Sequence, residues 1–322
     1  MLKLNTLSGF GSGVSGAGAT GQGTYGYVQG GQATGVNTPI GDRVTFATSV
    51  LAAHTDADLS YNPEQPGFSS DANSFGYGYV CGGYTAGNQT TGNRTTFSTS
   101  VTAVHTDADL SVGQGNLEGT SDATAYGYIA GDGASNIGQR ITFSTSVTAA
   151  HTDANLSLTR YAPGCTSDGN TVGYGYFCGG FPHPSPRTTT TDRITFSTSV
   201  TAAHTDADLT TGASDSAGNS DMVAYGYVCA GTTGAVADTG RRMTFATSVL
   251  ALHTDADLTD TAANFAMMGD GAIYGYAFKV SSGRTNIGAR QTFATSVWAL
   301  HTDVDMSIAR NGQVALSDAS AQ

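Results

Sequence analysis

Residues Arg43–Ser60 read "RVTFATSVLAAHTDADLS", and close copies begin at Arg94, Arg140, Arg193, Arg242 and Arg290. The phenylalanines inside them (Phe46, Phe97, Phe143, Phe196, Phe245 and Phe293) recur at intervals of 46 to 53 residues. A second marker, "YGY", precedes each copy, beginning at Tyr25, Tyr77, Tyr126, Tyr174, Tyr225 and Tyr274. Six pairs of markers define six copies of one module of about 50 residues. The repeat cores are 43–60, 94–111, 140–157, 193–210, 242–259 and 290–307, within a single domain spanning 1–322.

Inside a module the pattern is that of strands. "YGYVCGGY" and "RITFSTS" carry aromatic and β-branched residues in short runs bounded by Gly, Asn and Asp. "TSVTAAHTDADL" alternates more loosely, and its alanines are also compatible with helix. The Gly/Ser/Asp-rich span before the next "YGY" has room for one more strand. About four short strands per module is the content of a propeller blade, so the expected fold is all-β, a six-bladed β-propeller. The first and last modules match the middle ones, unlike the atypical capping repeats of a solenoid. The opening "LNTLSGFGSGVSGAG" and the tail "MSIARNGQVALSDASAQ" both correspond to the leading strand of a module. The blade that joins the two ends is therefore expected to hold strands from both termini.

Composition narrows the functional classes. Hydrophobic residues make up 39% of the 322, enough for a core, while 44 glycines demand frequent turns and close backbone packing. A net charge of -12 disfavours nucleic acid as a partner, because phosphate binding needs a basic face. The first twenty residues lack the apolar run of an export signal or a membrane helix, so no membrane insertion and synthesis in the cytoplasm are expected. Cys81, Cys178 and Cys229 occupy one position of a repeated strand, too far apart between modules for disulfides, and Cys165 falls in the loop "YAPGCTSDG". All four read as reduced thiols, three of them as small buried apolar residues. With no CxxC pair, a thiolate metal site is not indicated.

The strand-glycine-glycine element of "YGYVCGG" followed by "RITFSTS" resembles the Kelch-like propeller repeats. The double glycine stands at Gly30-Gly31, Gly82-Gly83 and Gly179-Gly180, and is altered after Ile129, Val228 and Tyr276; Trp298 is the one tryptophan. A closer likeness, over nearly the whole chain, is to Gly/Ser/Thr-rich propeller repeats of the form "YGYFxGG…DRITFSTxTxA…LSxAR" associated with tailed bacteriophages. That resemblance implies a virion protein, a tail, fibre, baseplate or capsid-surface component, made in the host cytoplasm and meeting other virion proteins or a host surface glycan.

The most conserved-looking stretch within the repeat, "HTDADL", pairs a histidine with two spaced carboxylates. Its members are His54 with Asp56, His105 with Asp107, His151 with Asp153, His204 with Asp206, His253 with Asp255 and His301 with Asp303. Six equivalent copies suit a fastening repeated in each blade better than one catalytic centre, by analogy with the His/Asp/hydroxyl networks of WD-type propellers. The alternative is calcium, with Asp56 and Asp58 as oxygen donors. Against it, one copy carries Asn155. Zinc would need more than one His per blade. No cofactor is expected.

If repetition marks structure, function belongs where modules differ. The Pro-rich "FPHPSPRTTTTD" contains Phe181, Arg187 and His183, the only histidine outside the repeat, and is a candidate contact loop. The spans before "YGY" offer Tyr61, Phe68, Asn116, Phe265 and Met267 as a sugar- or protein-binding rim. The expected function is a non-enzymatic virion structural or adhesion protein; a cellular carbohydrate-binding propeller is the alternative. An enzyme would need a cluster of unique acids or histidines at the channel mouth, and the sequence offers none.

Overall fold

A computed structural model describes residues 23–169, 171–281 and 283–319. Six four-stranded antiparallel sheets radiate from a common axis as a six-bladed β-propeller. From axis to rim, blade 2 runs Gly67–Ser70, Tyr77–Cys81, Gly92–Thr96, Val101–Val104. Blades 3 to 6 repeat this order, with innermost strands Glu118–Ser121, Gly164–Ser167, Ala217–Ser220 and Ala266–Gly269. Blade 1 takes its innermost strand, Val314–Ser317, from the end of the chain and its second, Tyr25–Gln29, from near the beginning. The closing blade thus holds strands from both ends, as expected. A leading strand within residues 1–22 lies outside the described residues.

The seam is fixed by more than the ladder. The Asp318 carboxylate accepts the backbone N–H groups of Thr24 at 2.9 Å and Tyr25 at 3.0 Å. Each other blade has its own such turn acid, Asp71, Asp122, Asp168, Asp221 or Asp270, which accepts backbone N–H groups ahead of the following "YGY". Five of these turns are announced by a Ser-Asp pair and that of blade 6 by Gly269-Asp270, within the Gly/Ser/Asp-rich span that the sequence assigns to one further strand.

The "YGY" strand explains the glycine. Its middle residue lies so close to the preceding blade that a Cβ on Gly127 would stand 2.0 Å from Ser69 Oγ, and one on Gly226 2.2 Å from Thr166 Oγ1. Any side chain there would push neighbouring blades apart. The second tyrosine, by contrast, is fully buried in all six blades (Tyr27, Tyr79, Tyr128, Tyr176, Tyr227 and Tyr276). Each stacks on the repeat phenylalanine of the next blade, with ring centroids 5.5–6.3 Å apart. A buried aromatic pair of this kind is worth about 1 kcal/mol beyond its area.

The stretch with helix-compatible alanines resolves into strand. Val50–Ala53 and its equivalents form the outermost strands, and only the "TDA" that follows winds into a single 3-10 turn, Thr55–Ala57 in the first module. Among the described residues no helix is long and apolar enough to cross a membrane.

Candidate functional site

The repeated polar network is built around the arginine of "R.TF" rather than around the His/Asp pair. Arg43 lies over the ring of Tyr25 at 4.4 Å, and the other five arginines repeat this at 4.2–4.5 Å. Arg43 then donates to Ser100 Oγ of the next blade at 3.0 Å. The same serine is within 2.8 Å of the Tyr27 hydroxyl. These serines (Ser49, Ser100, Ser146, Ser199, Ser248 and Ser296) all sit at positive φ, 53–61°, in the tight turn before the outermost strand. The fastening therefore runs between blades, whereas the WD analogy placed it within them.

The histidines lie half-buried behind the arginines. Arg140 Nη1 is 3.4 Å from His151 Nε2, and Arg242 Nη1 is 3.3 Å from His253 Nε2, so the imidazole accepts from the guanidinium in its neutral form. Burial, and then the arginine charge, lowers the pKa of His105, His151, His204 and His253. His54 and His301 hold the equivalent half-buried places. The first acids of the motif, Asp56, Asp107, Asp153, Asp206, Asp255 and Asp303, are exposed on the 3-10 turn. Their inclusion in the buried network is corrected: it is the second acid that fastens. Asp58 Oδ1 accepts the Gly41 N–H at 2.7 Å, and Asp109, Asp208, Asp257 and Asp305 repeat the bond at 2.6–2.8 Å. Asn155 does so equally with its amide oxygen at 2.9 Å, because the N–H needs an acceptor and not a charge. Asp56 and Asp58 consequently have different tasks, and among the described residues no group of three or more His, Cys, Asp or Glu converges as a metal site.

Three rim candidates turn out to be interior. Phe68 and Phe265 are 5% and 4% exposed and Met267 2%, lining the axis where innermost strands meet. The spans that contain them include the innermost strand itself, and alternate residues of that strand must face the axis. Tyr61 is half-buried and donates its hydroxyl to the Gly82 carbonyl at 2.5 Å, a latch between linker and blade 2. Cys165, placed in a loop by sequence, belongs to the innermost strand of blade 4; it and the other three cysteines are buried free thiols.

The axis is closed at the loop-bearing face. Gln65, Asn116, Ala162, Asp215, Asn264 and Gly312 all take positive φ at the entrance, one from each blade. A ring of backbone hydrogen bonds of 2.7–3.2 Å runs around them, from Gln65 N to Gly312 O and onward through Asn264, Asp215, Ala162 and Asn116. Beneath lie cavities of about 20 and 10 Å³, room for single waters rather than a ligand. Glu118 faces them, its carboxyl pushed well up by burial and accepting the Cys165 thiol at 3.4 Å. Lys279, missed in the sequence, replaces a glycine or alanine of the other blades near this mouth; burial pulls it down to about 8.

Beside the sealed mouth lies an open depression of about 280 Å³, lined by Asn116, Tyr161, Phe181, Arg187, Ser214 and Asp215. The Pro-rich loop and two linkers meet here. Tyr161 bridges to Phe181, and their rings stack with centroids 6.4 Å apart. Arg187 lies 5.5 Å over Phe181 and donates Nε–H to Ser214 Oγ at 2.9 Å, and Ser214 in turn donates to Asp215 at 2.9 Å. The structure thus unites Phe181, Arg187 and Asn116 from the sequence candidates; His183 packs edge-on against Phe181 at the exposed side. Tyr161, Ser214 and Asp215 were missed because each lies in a linker without a repeated pattern. The site offers aromatic faces, an oriented cation and amide and carboxylate acceptors, a combination suited to polar ligands with apolar faces such as sugars. Compared with known protein families and with curated proteins, the chain matches none.

Proposed function

We propose that the protein is a non-enzymatic adhesion or structural propeller whose loop-bearing face binds a surface carbohydrate, in the virion of a tailed bacteriophage. The observation that carries the carbohydrate reading is the depression in which Tyr161 and Phe181 present ring faces beside Arg187, Asn116 and Asp215. The virion setting rests on the form of the repeats.

The test is binding of labelled full-length protein to an array of bacterial surface polysaccharides, with and without EDTA. Saturable binding that survives EDTA and falls at least tenfold in Arg187→Ala or Phe181→Ala supports the reading. Binding that both variants retain moves the ligand away from this depression.

A second reading is assembly with neighbouring virion proteins through the rim. Each outermost strand begins with an exposed valine, 41–47% accessible in all six blades. Leu252 and Leu300 add to this belt on blades 5 and 6, at 55% and 58%. Silence across the array, with retained incorporation into particles, favours that reading.

A further inference from the structure

Two groups of opposite charge line the depression beside the mouth, and they do not meet. Arg187 and Asp215 form no ion pair among the described residues. Ser214 stands between them, accepting Arg187 Nε–H and donating to Asp215 Oδ2, both at 2.9 Å. Arg160 and Arg310 behave otherwise: inside the fold each pairs directly with an aspartate at 2.9 Å.

Arg187 is also held in place. Tyr161 and Phe181 exchange backbone hydrogen bonds at 3.0 and 2.9 Å, and the Thr188 N–H closes the Pro-rich loop onto the Gly180 carbonyl at 3.0 Å. The linker of the next blade abuts this loop so closely that a Cβ on Gly212 would lie 2.3 Å from the Arg187 carbonyl oxygen. The guanidinium lies 5.5 Å over Phe181 with Nε held by Ser214, so its open edge is that of Nη1 and Nη2, which bond to nothing among the described residues. Ordering an arginine side chain costs up to about 2 kcal/mol of rotamer entropy, and a guanidinium already held escapes most of that cost when a ligand arrives. The open edge presents N–H groups in a planar fork, which matches a carboxylate better than a lone hydroxyl.

Beyond Ser214 lie acceptors. Asp215 keeps one carboxylate oxygen without a partner among the described residues, and Asn116 adds an amide. The Asp215 charge is met in part from within the fold by the buried Lys279 ammonium. These acceptors suit hydroxyl donors. A ligand that satisfies both sides carries a carboxylate close to hydroxyl groups, on a skeleton that can rest against Tyr161 and Phe181. An open space of about 280 Å³ is at the lower end for ligand pockets, so the recognised part is short.

We propose that the carbohydrate bound here is acidic: a uronate or related sugar acid whose carboxylate pairs with the Nη edge of Arg187 while its hydroxyls donate to Asp215 and Asn116. The inference rests on the carbohydrate reading of this depression and adds the ligand's charge to it. Arg187 is then the residue that sets specificity. The chain's net charge of -12 repels polyanions at a distance, so the preference arises from contact at this one edge.

The experiment compares each acidic bacterial surface polysaccharide with its own carboxyl-reduced form. Carbodiimide activation and borohydride reduction turn the carboxylate into a neutral hydroxymethyl group and leave the rest of the polymer unchanged. Full-length protein should bind at least one acidic polymer saturably, and its reduced form about tenfold more weakly or worse, as expected for a lost charge-assisted contact. Arg187→Gln should bring the acidic form down to the level of the reduced one, with the reduced form itself changed by less than about threefold. Arg187→Lys, which keeps the charge without the fork, should not restore the preference. Equal binding of acidic and reduced forms, or binding confined to neutral polymers, would overturn the acidic assignment and leave the carbohydrate reading standing. A sulfated polymer without carboxylates that binds as tightly as the acidic one would overturn it as well, because it marks general attraction of anions. Silence towards acidic, reduced and neutral polymers alike removes the carbohydrate reading and this inference with it. The comparison of polymers is made on the unaltered chain, so it stands whether or not a variant folds.

Discussion

The Tyr276 hydroxyl of blade 6 lies 3.0 Å from Ser49 Oγ of blade 1, at the junction of the last blade with the first. The same pairing joins every other pair of neighbouring blades at 2.7–2.9 Å, so this junction uses the fastening found everywhere else. Ser146→Ala removes the acceptor of both Tyr79 and Arg94 in a buried site. It should cost about 2 kcal/mol, and a double-mutant cycle with Tyr79→Phe should show a coupling of about 1 kcal/mol. Urea unfolding measures both, and a coupling near zero would remove the Tyr–Ser pairing from the stability account.

Asp71 and Asp318 should give the protein an unusual acid profile. Burial raises both from an ordinary 3.8 to about 6, against the opposing pull of their backbone N–H donors. Between pH 4 and 6 the native state then binds more protons than the unfolded chain, so stability from these two groups falls as pH rises through that window and is level above it. Asp71→Asn keeps an acceptor without the charge and should flatten this limb. Tm measured from pH 4 to 8 decides it; an unchanged slope in the variant would falsify the assignment.

The histidines act in the opposite direction. Because burial and the neighbouring arginines depress His105, His151, His204 and His253 below 6.5, the unfolded state binds more protons as pH falls below that value, and their contribution to stability is lost. Replacing His151 and His253 by Gln should reduce destabilisation between pH 6.5 and 5. NMR titration should find all four imidazoles below the ordinary value.

Phe68 and Phe265 separate from Phe181 by experiment. Truncating either interior ring to Ala should cost about 3–5 kcal/mol. Phe181→Ala should leave Tm within about 1 °C while weakening ligand retention. Equal Tm losses in all three would argue that the Pro-rich loop is part of the fold's support.

The four thiols should be silent in the folded protein. Burial pushes Cys178 up to about 11 and Cys229 to about 12, and Cys81 and Cys165 also upward. A thiol-reactive chromophore should label none of them at pH 8 without denaturant and all four in guanidinium, with no effect of reductant on Tm.

Much of this architecture was already written in the repeat. The spacing of "YGY" and "R.TF" determined the number of blades, since each marker pair is one unit that buries its faces only against neighbours. The leading element recurs at both ends of the sequence, and only the pairing of Val314–Ser317 with Tyr25–Gln29 decided that the later copy supplies the innermost strand of the closing blade. Which polar groups meet was decided only in three dimensions. The "HTDADL" stretch suggested one buried His/Asp unit, yet the chain turns at Thr55–Ala57, which leaves Asp56 in solvent and aims Asp58 at a backbone N–H. Phe68 reads as a rim residue because an innermost strand rich in small polar residues looks like a loop until six of them surround an axis. Tyr161, Arg187 and Asp215 lie up to 54 residues apart and share no pattern. They come together because the linker that crosses between blades meets the loop of the next one, a proximity set by ring closure that local sequence periodicity does not encode.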